Sequence, residues 1–320
     1  MRIRNLTKLL LGAVLALGLS IDDVKAEYPE KPITLVLPVG AGGSHDRNAR
    51  VFTSVIPTYL GNAIIVKLMP GASGQTGTAN VARAKPDGYT LLFTHNYFDQ
   101  LQKHVKKLPY NTDKDFITVG KLNSGNFSVI VHGNSPYKSW GQLVAFAKKN
   151  PGKLKFAHSG NWGATHAPAL QLFTEAGIAK SIVMVPYKGG GPSMRGFLAR
   201  EADFTMQFKS TILGQKGKVR VLISAGTKTA FKGVPTFKDL GYTSDIGLMH
   251  RVIMAPRNIP ADRLAKLRGA LLKVQKDKTY KRLIKAIGEI TDYVDGAAYE
   301  KQRPAQSKAY KAMISGLMKK

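Results

Sequence analysis

Residues 38 to 46 read PVGAGGSHD. They follow the apolar run Ile33 to Leu37 and precede a segment whose Val51, Val55 and Ile56 recur at helical spacing. The order is strand, glycine turn, helix start. Gly40, Gly42 and Gly43 carry no Cβ, so the backbone here can reach positive φ and approach a ligand closely. A helix beginning near Ser44 leaves its first N–H groups without intrahelical partners, and together with the helix dipole they favour an anion. Two readings stand side by side: a seat for a carboxylate or phosphate, or a tight strand-to-helix turn with Ser44 as N-cap.

Working outward, short β-branched runs recur between helical patterns, which is the signature of an α/β chain with mostly parallel sheets flanked by helices. Strands are expected over residues 33–37, 64–67, 90–93, 117–122, 127–131, 154–157, 182–185, 204–207, 219–224 and 248–254. Ser139 is a good N-cap for a helix from Trp140 to Lys148, which Asn150-Pro151-Gly152 stops. One long amphipathic helix is expected from Leu264 to Ile287, closed by Gly288, and another from about Ala297 onward. A chain of 320 residues lies in the range where single cores divide into two. The polar link Asn123-Ser124-Gly125-Asn126 and a return near Tyr242 to Gly247 read as the crossings of a hinge. Residues 27–124 with 248–320 then form one lobe, and 125–247 the other.

Residues 1–26 have the pattern of an export signal: basic Arg2, Arg4 and Lys8, an apolar run of 11 residues from Leu9 to Leu19, and Val24-Lys25-Ala26 before a cleavage expected after Ala26. That run is too short to span a bilayer. The chain has no cysteine, which excludes a lipid-anchored cysteine, a disulfide framework and thiolate metal sites, and a periplasmic location is expected. The net charge is +28. Its lysines and arginines are spread along the chain without any nucleic-acid-binding motif, so they read as solvated helix faces whose field draws anions toward a cleft.

Six motifs occur in order: PVGAGGSHDRNAR (38–50), MPGASGQTGTANVARAKPDGYTLLFTHN (69–96), LPYNTDKDF (108–116), NPGKLKFAHSGNWGATH (150–166), VPYKGGGPSM (185–194) and GVPTFKDLGY (233–242). Their succession resembles the Bug, or TctC-like, solute receptors of tripartite tricarboxylate transport systems over nearly the whole chain past the signal. The resemblance implies a two-lobed type II periplasmic binding protein that holds a small carboxylate between its lobes, with a loop from each lobe around it and ordered waters. Carried onto this sequence, the first loop is Gly42, Gly43, Ser44 and Asp46, and the second Ser159, Gly160, Asn161, Thr165 and His166. Each offers N–H groups or small hydroxyls at a strand-to-helix turn. Asp46 also fits a purely structural role, complementing the dipole of its own helix.

His95 and Asn96 end a strand and are candidates to reach the cleft, as is Tyr187 in VPYKG. At FTMQFKS (204–210) the chain departs from the small, apolar or acidic residues usual in the family. Strand alternation puts Gln207 and Lys209 on one face, from which Lys209 could meet a second carboxylate. His250 and Arg251, in GLMHRVIMAP, stand where many relatives carry an aromatic pair, with His250 the ligand candidate of the two, and Arg195 and Gly196 interrupt the family pattern after VPYKG.

None of the seven histidines lies in a metal-ligand spacing such as HExxH, and Ser159 is not in a GxSxG elbow. MPGASGQTGT has no GK[ST] ending, so its glycines read as shaping turns. No catalytic residue, metal or cofactor is expected. The sequence points to a monomeric receptor that binds a mono- or dicarboxylate, or an aromatic acid, and delivers it to a tripartite tricarboxylate-type permease. A periplasmic sensory receptor shares every motif, and an exported hydrolase remains the enzymatic alternative.

Overall fold

The computed structural model describes residues 27–226, 231–242 and 248–318. The expected export signal and residues 243–247 of the expected return crossing lie outside the described residues. Among the described residues the strands are β1 (Ile33–Leu37), β2 (Ile64–Leu68), β3 (Thr90–His95), β4 (Phe116–Gly125), β5 (Phe127–His132), β6 (Leu154–His158), β7 (Ile182–Pro186), β8 (Phe204–Phe208), β9 (Val219–Ser224), β10 (Met249–Pro256) and β11 (Val294–Asp295). They form two sheets, ordered β11-β4-β10-β3-β1-β2 and β7-β6-β8-β5-β9. The helices around them are α1 (Ser44–Val55), α2 (Pro57–Leu60), α3 (Gln75–Ala82), α4 (Trp140–Lys149), α5 (His166–Glu175), α6 (Gly190–Leu198), α7 (Lys209–Ile212), α8 (Ala261–Lys276), α9 (Lys278–Ala286) and α10 (Gly296–Met318).

Both sheets are mixed rather than mostly parallel. β1 pairs in parallel with β2 and β3, and β6 with β7 and β8. β10 runs against β3 and β4, and β5 against β8 and β9. The reason is topological. A strand inside a βαβ unit finishes at the end of the sheet where its loop opens, whereas β5 and β10 each follow a crossing between the sheets and therefore start at that end. The C-terminal ends of β1, β3, β6, β7 and β8 are left facing one region, the place where open α/β sheets carry ligands.

Two sequence expectations change. The polar link at 123–126 is mostly strand, since β4 keeps its pairing with β10 until Gly125 lies opposite Met249. Only Asn126 separates β4 from β5. The single helix expected over 264–287 is two, because Asp277 is extended at φ −65° and ψ 132°. Its carboxylate accepts from the Tyr280 N–H at 2.8 Å and the Tyr59 hydroxyl at 2.6 Å. An aspartate that caps a new helix competes with continuation of the old one.

One core lies around Leu35, Phe52, Phe93 and Leu271, the other around Phe127, Trp140, Phe156 and Phe204. The long helix α10 serves both. Tyr299 packs near Phe116 and Val252 of the first sheet, while Tyr310 and Ile314 enter the core of the second. We propose the lobe limits drawn above for the sheets, with the far end of α10 docked on the second lobe. Among the described residues no helix is long and apolar enough to cross a membrane.

The capping role of Asp277 is testable: Asp277→Ala should destabilise the fold by about 1 kcal/mol, lowering the calorimetric midpoint by about 2 °C. An unchanged midpoint would reject that role.

Candidate ligand-binding site

The loop after β1 and the loop after β7 meet through glycine. The Gly40 N–H donates to the Lys188 carbonyl at 2.8 Å. A Cβ on Gly43 would lie 2.8 Å from the Gly191 nitrogen, and one on Gly191 would lie 2.0 Å from the Ala41 carbonyl oxygen. No side chain fits between the two backbones. The Arg195 guanidinium reaches across the same seam and donates to Ala41 O at 3.2 Å. Gly43 and Gly189, the N-cap residues of α1 and α6, make no side-chain capping bond. Two uncapped helix N-termini, one from each lobe, are thus held nose to nose, and their unpaired N–H groups and dipoles favour an anion.

Beside this seam lies a cavity of about 190 Å³, walled on one side by Pro38, Val39, Gly71, Ser73, Gly74 and Phe98 and on the other by Ser159 to Asn161 and Pro186 to Gly189. A smaller pocket of about 30 Å³ shares Val39, Phe98 and Ser159 and adds Gly43, Ser44, His45, His95, Thr165 and Gly190. Ser159 and Thr165 hold each other. The Ser159 N–H donates to Thr165 Oγ1 at 2.9 Å, and Ser159 Oγ accepts from the Thr165 N–H and hydroxyl at 3.3 and 3.0 Å. With both lone pairs occupied, the Ser159 hydroxyl keeps its proton for a ligand.

Ser44 is committed differently. Its Oγ donates to Glu289 at 2.8 Å and accepts from Arg251 Nη2 at 2.5 Å and from the Ser210 hydroxyl at 2.8 Å. All its hydrogen-bonding capacity is used, so towards the cavity Ser44 offers its backbone. Arg251, 0% exposed, pairs with Glu289 at 2.9 Å and donates to Asn123 Oδ1 at 3.0 Å, with its guanidinium 5.5 Å from the centre of the Phe208 ring. Ser210 and Phe208 come from the second sheet's side, so this buried network ties the lobes together behind the pocket.

The histidines here are neutral. Burial pushes His45 down to about 3, helped by the positive Arg251, and takes His95 well below its ordinary 6.5. His158 falls to about 4 and His166 to about 3, again through burial first. His45 Nε2 donates to the Phe93 carbonyl at 2.8 Å, and His95 Nδ1 accepts the Phe98 N–H at 3.3 Å.

Of the residues expected from sequence, Gly43, Ser44, His95, Ser159, Gly160, Asn161, Thr165 and Tyr187 line the two cavities. Others are engaged elsewhere. Gly43, not Ser44, is the N-cap. Gly42, at φ +84°, gives its N–H to the Asp46 carboxylate at 2.9 Å, and Asp46 also pairs with Arg50 at 3.0 Å. Asp46 therefore shapes the loop from within. Asn96 donates to the Tyr310 hydroxyl and the Leu248 carbonyl and accepts from the His250 N–H. His166 accepts the Trp162 N–H and packs on His158. Tyr187 contributes to the wall while its hydroxyl donates outward to Glu201 at 2.5 Å, and its ring fills the space a Cβ on Gly196 would take.

Gln207 is fully buried, donating to Ser193 and Thr205 beneath the start of α6. Lys209 does not share its face, because β8 ends at Phe208 and α7 starts at Lys209. Its methylenes lie on Gly288 and its ammonium 5.7 Å from the centre of the Phe231 ring. His250 sits beside Tyr299 and Gln306 of α10, at 3.2 and 3.5 Å. The neighbouring Arg251 is the residue that reaches the pocket's support.

Sequence reasoning missed the wall formed by Gly71, Ser73, Gly74, Phe98, Gly189 and Gly190. A signal existed in PGASG and in the triple glycine of VPYKGGG. Ala72 and Ser73 also adopt positive φ of 46° and 54°, backbone strain that only the folded loop reveals. The Arg251–Glu289 pairing links residues far apart in sequence and left no local sign.

A model of the tripartite tricarboxylate transporter family receptor matches residues 48–317. The UPF0065 protein in the gbd 5' region of Cupriavidus necator is 30% identical, over 96% of this chain and 94% of its own length. The solved periplasmic binding protein BugD is 26% identical at a TM-score of 0.86, covering 91% of this chain and 98% of that one. MatC from Rhodopseudomonas palustris, solved with bound malate, is 22% identical at a TM-score of 0.83, covering 90% and 100%. The chain belongs to the tripartite tricarboxylate transporter receptor family. It is a solute-binding receptor with the two-lobed fold, in a family of periplasmic proteins, and not an enzyme.

If binding needs the two loops to meet as they do here, Gly191→Ala should cut affinity for any carboxylate that the parent binds by at least about tenfold, since the seam has no room for the methyl. Titration calorimetry measures it, and unchanged affinity would show that the seam opens freely. A second expectation concerns pH. Histidines held below their ordinary 6.5 make the folded state resist protonation, so stability is complete above about pH 6.5 and declines as pH falls toward 4 and 3. Thermal melts from pH 7 to pH 4 should show a falling midpoint, and a flat profile would contradict it.

Proposed function

We propose that this protein captures a small organic anion carrying one or two carboxylates between its lobes and presents the closed form to a tripartite tricarboxylate-type membrane transporter. The observation that carries this reading is the free Ser159 proton in the wall shared by the two adjoining pockets, the smaller of which is lined by the start of α1 at Gly43 and Ser44 and the start of α6 at Gly190. These are donors arranged as a carboxylate requires. The proposed ligand-binding residues are Gly43, Ser44, Ser159, Gly160, Asn161, Thr165 and Tyr187, with Ser73 and Gly189 to Gly191 added.

The size of the cavity restricts the ligand. About 190 Å³ is below the roughly 300–1,000 Å³ of pockets for drug-sized molecules. The buried histidines of the smaller pocket are neutral, so recognition rests mainly on N–H and O–H donors. MatC, which shares the fold, holds malate, a ligand of the proposed kind. Closure of the hinge would bury the anion and replace its water with these donors.

Calorimetry against mono-, di- and tricarboxylates and aromatic acids, on protein denatured and refolded to remove carried-over ligand, should find saturable binding to at least one small carboxylate. Ser159→Ala should weaken that binding by roughly tenfold, the effect of one hydrogen bond to a charged group. Refolded protein that binds no member of the panel would sink the proposal.

A further inference from the structure

The second half of α8 and all of α9 present a row of exposed bases: Lys273, Lys276, Lys278, Lys281, Arg282 and Lys285. Within α9 the positions 278, 281, 282 and 285 follow helical spacing and form one stripe, while Tyr280 and Ile284 occupy the opposite, buried face against the first core. Among the described residues none of the six has an acidic partner within salt-bridge distance. The nearest acids in sequence are already engaged, Asp277 by Tyr59 and Tyr280, and Glu289 by Arg251 and Ser44. Six like charges kept close together without counter-charges repel one another, and an external anionic surface would relieve that repulsion.

We propose that the exposed face of α8 and α9 rests on an anionic phospholipid surface and holds the receptor at the membrane. Three features favour a lipid plane over an acidic protein partner. Five of the six bases are lysines, whose flexible stems and point charges suit mobile headgroups rather than fixed bidentate pairing. Leu272 is 41% exposed amid them, an apolar residue placed to enter the interface beside the basic row. The net charge of +28, nearly all of it carried by residues beyond the expected signal, adds a long-range pull toward any anionic plane. The face lies outside the carboxylate cavity, so docking and ligand capture are compatible.

The test is sedimentation of the exported, naturally processed protein with vesicles of mixed phosphatidylglycerol and phosphatidylcholine, against phosphatidylcholine alone. Each base near an anionic bilayer multiplies partition by roughly fivefold, so Lys278→Glu/Lys281→Glu/Lys285→Glu should reduce it by at least about a hundredfold. The control Lys148→Glu/Lys149→Glu/Lys153→Glu makes the same change in net charge on exposed positions of the other lobe and should stay within about threefold of the parent. Raised salt should release the parent protein. Equal losses in both triple variants would overturn the proposal by showing attraction from overall charge only. A parent that ignores the mixed vesicles would overturn it too, and would leave the face to an acidic protein. Carboxylate binding by all three proteins, measured in parallel, keeps the outcome separate from the function of the cleft.

Discussion

The close approach of two peptide backbones governs this structure. Gly40 and Gly43 on one side and Gly189 and Gly191 on the other allow the loops after β1 and β7 to touch. That contact brings the N-termini of α1 and α6 together. Like poles of two helix dipoles repel, and their first N–H groups favour an anion, so the arrangement is eased by a negative group in the pocket beside the seam. The rest of the site can be understood as support for this meeting.

Behind the seam, a network of side chains fixes the angle at which the loops meet. Arg251 and Glu289 form a buried pair, and Ser44 stands between them and Ser210. Such a pair contributes less to stability than its charges suggest, because both have lost water. Its value lies in geometry, since each partner must find the other for burial to be tolerated. The bonded set spans β10, the segment after α9, the start of α1 and the start of α7, so the lobes share one polar junction as well as the apolar sharing of α10.

Much of the fold was legible. The ten expected strands all occur, because β-branched runs bounded by turn residues are a local signal, and the helices at Trp140 and Ala297 start within a residue of expectation. The mixed direction of the sheets was not legible, since a strand's direction depends on the end of the sheet from which the chain enters. The break at Asp277 was missed because the apolar spacing continues smoothly through it, while the capping carboxylate acts on backbone groups. At the site, the loops at Gly43 and Ser159 were readable from glycine and hydroxyl content next to a strand end. Lys209 was misplaced by alternation carried one residue past the end of β8, and His250 was chosen over its neighbour Arg251, whose partner Glu289 lies 38 positions later in the chain.

By itself the sequence determined the α/β class, the positions of nearly all strands, the family, and two of the loops at the cleft. These follow from short-range patterns of apolar, β-branched and small residues, which act before any distant contact forms. Only the tertiary structure decided that the glycine triplet after Lys188 meets the glycines after Val39, that Ser44 spends its hydroxyl on Arg251, Glu289 and Ser210, and that Ser159 keeps its proton free. Each of these depends on residues brought together by the crossings between two sheets, and hydrogen-bonding capacity is allotted only when all the partners are in place.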